Sequence, residues 1–284
     1  YAPVYGGGKS EAYIGEILQA LDSKPMISTK VYLPPNQTDN IEYAIMDSLT
    51  KSLKTLSLEK VDVFQLHNRV GETVSERSWI TQDTLYKKDG VMAAMNRVKE
   101  EGMASYIGFT GLGDTKTLKS MVVDGRFDMM QAYINLLNPS GLYEVRSDYD
   151  QADYQQIIQL AEKNDVGVVA IRVLAAGILA GVKGLKSNND LSVGSDIPIE
   201  YQRLEKIKSV LGISEEQVYK LALKFIFNSD ELGIAALGFA ELSHMYKAIE
   251  VLEDKNKGFE IIEKFKQAVE SGELYYGIQA IREH

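Results

Sequence analysis

Two rhythms alternate along the chain. Short, continuous apolar runs are separated by stretches in which apolar residues recur every three or four positions. The runs are Pro25–Leu33 (PMISTKVYL), Val61–Asn68 (VDVFQLHN), Ala104–Leu112 (ASYIGFTGL), Phe127–Leu137 (FDMMQAYINLL), Val166–Leu174 (VGVVAIRVL) and Leu232–Phe239 (LGIAALGF). Each is expected to be a strand buried on both faces, because a strand with one wet face would alternate apolar and polar residues. Between the runs the spacing predicts helices. Asp39 caps one whose apolar positions Ile41, Ala44, Ile45, Leu49, Leu53 and Leu56 share a face. Others span Gly90–Gly102, Asp114 to about Gly125, Tyr154–Asn164, Pro198–Leu211 and Ser214–Asn228, with a last one starting near Leu242. Strands joined by helices in this order make an α/β protein with a parallel sheet. The six strands suit an open doubly wound sheet, whereas a closed barrel needs eight, and periodicity alone does not choose.

Arg69–Asp89 and Leu179–Ile197 follow neither rhythm. Long irregular segments in a compact domain usually carry function. Both follow the C-terminal ends of strands, where barrels and open sheets alike keep their sites. The single tryptophan, Trp79, lies in the first, as an anchor of the loop to the core or as a wall of a pocket.

Composition mainly excludes. The 284 residues are 45% hydrophobic and 25% charged, which is ordinary for a globular protein. There is no cysteine, so disulfides, thiolate metal sites and a cysteine nucleophile are ruled out. A net charge of −9 argues against a nucleic-acid partner, which wants a basic face. No apolar run reaches the roughly 18 residues that span a bilayer, and no basic-then-apolar leader is visible. The expectation is a soluble, cytoplasmic protein with no membrane partner. A Rossmann G-x-G-x-x-G is absent, and YGGGKS lacks the earlier glycine of a phosphate-binding P-loop.

Three polar residues interrupt apolar surroundings: Tyr5 before the glycines, Lys30 inside MISTKVYL, and His67 at the end of VDVFQLHN. Singly, each has a plain structural explanation: a packing tyrosine, a solvated strand-end lysine, a satisfied histidine. Together they make chemical sense. A phenol ordinarily ionises near pH 10, and an adjacent ammonium favours the phenolate. A neighbouring imidazole can orient it. Such a tyrosine can exchange a proton with a carbonyl oxygen while hydride moves at carbon.

The chain resembles the aldo-keto reductase superfamily. APVYGGGKSEAYIG is similar to that family's D-T-A-x-x-Y-G-x-S-E-x-x-x-G element, ISTKV to its lysine strand, and VDVFQLHN to its strand ending Leu-His. Further on, YIGFTGL resembles I-G-x-S-N, MMQAYINLLN resembles Q-x-x-Y-N-L-L-N, RVLAAGIL resembles P-L-A-x-G-x-L, and LGFAELSHMYKAI stands where the family binds the adenosine phosphate. The resemblance implies a single (β/α)8 TIM-barrel domain over residues 1–284 that binds NADP or NAD and reversibly reduces an aldehyde or ketone. Tyr5 would be the proton donor, Lys30 would place positive charge beside it, and His67 would orient the carbonyl. Thr110, Gln131, Arg172, Leu174, Gly177, Gly238, Glu241 and His244 would be the cofactor residues. The substrate would be a small carbonyl or sugar-like compound selected by the two long loops and the segment around Tyr275 and Tyr276. An alternative within the same fold is a cofactor-sensing regulatory subunit with little turnover; a third is an inactive, truncated homologue. No metal is implied, and oligomeric state is left open.

The chain departs from the family pattern in four places. The family's tetrad aspartate, first strands and first helix would precede Tyr1, so the expected barrel is incomplete at its N-terminus. Gly111 stands where the family has an asparagine beside Thr110. Glu241 and His244 stand where basic residues for a 2′-phosphate are usual; a carboxylate there favours a ribose diol and weakens the case for NADP. Arg172 replaces a small polar residue, either to contact cofactor or to pair with an internal carboxylate. Gly6, Gly7 and Gly8 are expected to form a turn into a helix with Ser10 at its N-cap and Glu11 in its first turn.

Overall fold

A computed structural model describes residues 1–21, 24–37, 39–75, 80–185 and 195–275. Trp79 and Tyr276 lie outside the described residues, as does much of the second long loop. The chain divides into two units, Tyr1–Gln131 with Asn164–Val166, and Ala132–Lys163 with Gly167–His284.

In the first unit a tight turn at Tyr5–Gly8 leads into α1 (Ser10–Ala20), β1 (Ser28–Val31), α2 (Ile41–Leu56) and β2 (Val61–Leu66). The region expected to be irregular holds a two-residue pair, β3 (Val70–Gly71) with β4 (Ile80–Thr81), and a short helix, α3 (Gln82–Tyr86). Then come α4 (Val91–Glu100), β5 (Ala104–Gly111), α5 (Thr115–Asp124) and β6 (Met129–Tyr133), whose last two residues belong to the second unit. The strands pair in the order β1, β2, β5, β6. Parallel register sets Lys30 beside Gln65, and Gln65 beside Gly108. Each strand is shorter than the apolar run containing it, because the flanks turn out of the ladder.

Helix α2 follows its sequence pattern closely. Ile41, Ile45, Leu49, Leu53 and Leu56 are buried, each such side chain contributing about 1.5–3 kcal/mol of transfer free energy. Its cap is Asn40 rather than Asp39: the Asn40 carboxamide oxygen accepts from the Tyr43 N–H at 3.0 Å. Asp114 caps α5 as expected, accepting from the Thr117 N–H, and Gly125 ends that helix in the left-handed region. In β5, Gly108 is required by packing, since a Cβ there would sit 2.5 Å from the Met129 sulfur.

The second unit contains α6 (Ile157–Lys163), β7 (Gly167–Ile171), α7 (Ile197–Leu211), α8 (Glu215–Phe227), β8 (Ile234–Ala235), α9 (Leu242–Glu253) and α10 (Phe259–Glu270). β7 and β8 are parallel. Helix α8 opens with a full capping box, Ser214 and Gln217 each bonding the other's backbone N–H. Helix α10 was not anticipated, although Ile262, Phe265 and Val269 recur at helical spacing; Phe265 and Val269 are buried. The C-terminal expectation is also revised for Tyr275. It is packed in the core of this unit, with its hydroxyl donating to the Leu136 carbonyl at 2.5 Å, so it is not available to line a substrate pocket.

Candidate active site

Alternation along β1 sends neighbouring side chains to opposite faces. Thr29 turns toward α1, where its hydroxyl donates to the Glu11 carboxylate at 2.5 Å. Lys30 turns the other way, is 6% exposed, and donates from Nζ to the Tyr5 hydroxyl oxygen at 3.0 Å. The same ammonium lies 5.0 Å from the centre of the Tyr5 ring. His67 follows the end of β2, tied to β1 by its N–H donating to the Val31 carbonyl. Its Nε2 is 3.1 Å from the Tyr5 hydroxyl, the two rings edge to face. The His67 tautomer sets which of that pair donates. Tyr5, Lys30 and His67, separated by up to 62 positions, therefore meet at one phenol oxygen.

The electrostatics suit a neutral imidazole. Burial, and then the nearby Lys30 ammonium, push the His67 pKa down to about 4. His67 is thus uncharged at neutral pH, able to donate or accept a hydrogen bond without competing with Lys30 for negative charge.

The turn that delivers Tyr5 depends on its glycines. Gly6, Gly7 and Gly8 have φ of 60°, 65° and 83°, a left-handed conformation that glycine adopts without the steric cost a Cβ would add. Crowding plays no part, since nothing lies within 4 Å of a Cβ placed on Gly7. The cap expectation is corrected here: α1 begins at Ser10, its N-cap is Lys9, and no side chain caps it. Glu11 lies in the first turn as expected, and its carboxylate is buried against Thr29.

Two supporting residues escaped the sequence reading. Gln65 is 1% exposed; its Nε2 donates to the Ser28 hydroxyl at 2.6 Å and its Oε1 is buried without a partner. The signal was a glutamine inside an apolar run. Asn68 clamps the chain after His67, its amide exchanging two hydrogen bonds with the backbone of Leu33.

The cofactor candidates fall into separate groups. In the first unit Thr110 lies near the end of β5, 3% exposed, with its hydroxyl buried and unpartnered, and Gln131 lies on β6, 9% exposed. A buried hydroxyl without a partner calls for a ligand atom, so these two residues fit a carboxamide-bearing group. In the second unit Arg172, Leu174 and Gly177 share one strained turn. Arg172, Ala175 and Ala176 all have positive φ, and Gly177 has φ of 103° with a Cβ position only 2.7 Å from Val182. Strain of about 1–3 kcal/mol per non-glycine residue persists where structure and function over-determine it. The Arg172 side chain is exposed, and among the described residues no carboxylate pairs with it. Gly238, Glu241 and His244 lie at the start of α9: Gly238 has open space where a Cβ would be, and Glu241 precedes the first helical turn, accepting from the Ser243 hydroxyl at 3.2 Å. Among the described residues no group of three or more histidine, cysteine, aspartate or glutamate side chains could hold a metal, and no helix is long and apolar enough to cross a membrane.

Comparison with solved structures defines the class of fold. The holo form of the aldo-keto reductase AKR11C1 from Bacillus halodurans superposes with a TM-score of 0.67, covering 98% of this chain and 83% of that one at 17% identity. An aldo/keto reductase from Klebsiella pneumoniae, in complex with NADP and acetate, gives 0.58 over 93% of this chain and 78% of its own at 18% identity. The fold is accordingly the α/β (β/α)8 barrel of these neighbours. The model of the aldo/keto reductase family matches residues 1–267, and the chain belongs to that family. Among characterised or named relatives, the uncharacterized oxidoreductase YrpG of Bacillus subtilis (strain 168) is 25% identical over 89% of this chain and 78% of its own. L-galactose dehydrogenase of Arabidopsis thaliana is 27% identical over 63% of this chain, which spans about half (51%) of that enzyme.

Proposed function

We propose that the protein is an NAD(P)-dependent oxidoreductase that reduces an aldehyde or ketone reversibly, with Tyr5 as the proton donor. One observation carries this reading: the Tyr5 hydroxyl is held between a buried lysine ammonium at 3.0 Å and a neutral imidazole at 3.1 Å. Family membership and the oxidoreductase names of relatives support the reaction class, and solved neighbours holding NADP or NADPH support a nicotinamide nucleotide.

A nicotinamide nucleotide, when bound, supplies the hydride. Thr110 and Gln131 are the residues that would take its carboxamide, while Arg172, Leu174, Gly177, Gly238, Glu241 and His244 would hold the rest. The remaining chemistry belongs to this chain. The carbonyl oxygen of the substrate accepts a hydrogen bond from the Tyr5 hydroxyl, and neutral His67 fixes the direction of approach. As negative charge grows on that oxygen, Tyr5 yields its proton, and the Lys30 ammonium stabilises the charge left on the phenol oxygen. This stabilisation is stronger in the transition state than in the ground state, which is what makes it catalytic. In the reverse direction the same phenol oxygen takes the alcohol proton. With Lys30 nearly out of water, screening is weak and the interaction is correspondingly strong.

The test is Tyr5→Phe with an aldehyde panel and both nucleotides. Loss of kcat by about two to four orders of magnitude, with nucleotide binding retained by fluorescence titration, is the expected outcome. Unchanged turnover would refute the assignment. In the same titration, a carboxylate at Glu241 is expected to disfavour NADPH relative to NADH; clear preference for NADPH would remove that role.

A further inference from the structure

A second basic residue stands at the end of β2 that the reaction described above does not use. Arg69 lies two positions beyond His67, and its Nη1 is buried without a hydrogen-bond partner among the described residues. A guanidinium stays charged at every pH a protein meets, and a buried polar group left unpaired is costly. Such an atom in a native fold calls for a partner supplied from outside.

The backbone around Arg69 is held on both sides. Asn68 is 1% exposed and bonded twice to the Leu33 backbone. Val70 is fully buried; its carbonyl accepts from the Asp114 N–H at 2.9 Å, and its backbone is so close to Gly113 that a Cβ there would lie 2.1 Å from the Val70 oxygen. Gly113, with φ of 150°, permits that approach. Arg69 is thus a cation on pinned backbone, two residues beyond the one that contacts the Tyr5 hydroxyl, with one guanidinium nitrogen buried and unpartnered among the described residues.

We propose that Arg69 is a specificity-determining residue that binds an anionic oxygen group of the substrate, so that the preferred substrate is an aldehyde or ketone carrying a carboxylate or a phosphate ester. A planar guanidinium is matched to two oxygens of such a group. The proposal rests on the reductase reading above for the identity of the reacting carbonyl.

The experiment compares three aldehydes with the nucleotide-saturated enzyme: 4-carboxybenzaldehyde, 4-formylphenyl phosphate and neutral 4-nitrobenzaldehyde. Arg69→Gln is expected to lower kcat/KM about ten- to a hundredfold for the favoured anionic aldehyde, mainly through KM, while the neutral one is unchanged. Arg69→Lys is expected to recover part of the loss. The two anionic arms identify which group is bound. Equal loss on all three aldehydes, a parallel rise in the KM for nucleotide, or no loss at all would overturn the proposal. Isothermal titration of benzoate and phenyl phosphate against neutral benzamide needs no turnover. An anion that binds the wild type and not Arg69→Gln supports the assignment; anions that bind neither protein, or both equally, overturn it. If the wild type reduces none of the aldehydes, the reductase reading fails while the titration still decides the role of Arg69.

Discussion

Each unit of the molecule takes a cation out of water, and the two sites solve the problem differently. In the first, Lys30 is 6% exposed and its ammonium faces a neutral phenol and a neutral imidazole. In the second, Arg203 is 3% exposed between two carboxylates, Glu200 at 2.8 Å and Asp150 at 2.9 Å. The second cation is paired with two acidic side chains; the first has only a phenol and an imidazole for partners. Burial of a charge does not by itself mark function. The partner distinguishes the two: Arg203 is fastened by acids, whereas Lys30 meets the phenol that we propose as the proton donor.

Substituting each cation by methionine, which keeps length and removes charge, tests the contrast most directly. Lys30→Met is expected to lower kcat by about two orders of magnitude, as loss of an electrostatic donor does, with little change in Tm, because no unpaired charge is left behind. Arg203→Met is expected to destabilise by about 1–3 kcal/mol, since it leaves Glu200 and Asp150 without their buried hydrogen-bond donor, while kcat of the folded fraction is unchanged. Denaturant melts and single-turnover rates on both variants separate these outcomes. A stability loss in Lys30→Met and none in Arg203→Met would reverse the comparison.

A smaller effect follows from Glu200. Burial, opposed by Arg203 and reinforced by Asp150, raises its pKa from 4.5 to about 7. The native state therefore keeps a proton that the unfolded chain releases. Its contribution is fully present below pH 4.5 and is lost as pH rises through about 7, by at most roughly 3 kcal/mol. Glu200→Gln, which keeps the neutral form at every pH, is expected to flatten that decline in a pH series of urea melts. An unchanged slope would mean that Arg203 holds Glu200 ionised.

The finest test concerns His67. With its pKa near 4, kcat/KM is expected to show no acid limb from this group between about pH 5 and 8, where an ordinary histidine would titrate. Lys30→Met removes one of the charges that depress it, so an NMR titration of the imidazole should move back toward 6.5. A wild-type limb near 6.5 would show that His67 is wetter and farther from Lys30 than its geometry indicates.

The reach of sequence reasoning differs between the same two places. Tyr5, Lys30 and His67 were legible because each is an isolated polar residue set against an apolar strand or a glycine turn, and because their order matches a family pattern. Arg203 and Glu200 were not, because a charged pair three residues apart on a helix looks like any solvated face. Asp39 and Asn40 are equally good caps on paper; the geometry of one turn decides for Asn40. Glu11 is the first-turn acid the sequence predicts, and only the tertiary fold made it the acceptor for Thr29.

The alternation of apolar runs and helical periods determined the six principal strands and most of the helices, since burial on two faces and on one face leave different spacings. The glycines at 6, 7 and 8 likewise announced their turn, because glycine enters the left-handed region without steric cost. Only the tertiary structure decided which polar atoms meet. Parallel register placed Lys30 beside Gln65 and brought the end of β2 to the Tyr5 turn. It also decided which buried atoms lack a partner among the described residues, the Thr110 hydroxyl, Gln65 Oε1 and Arg69 Nη1 among them. Those depend on distances of about 3 Å between residues far apart in the chain, and no local pattern encodes them.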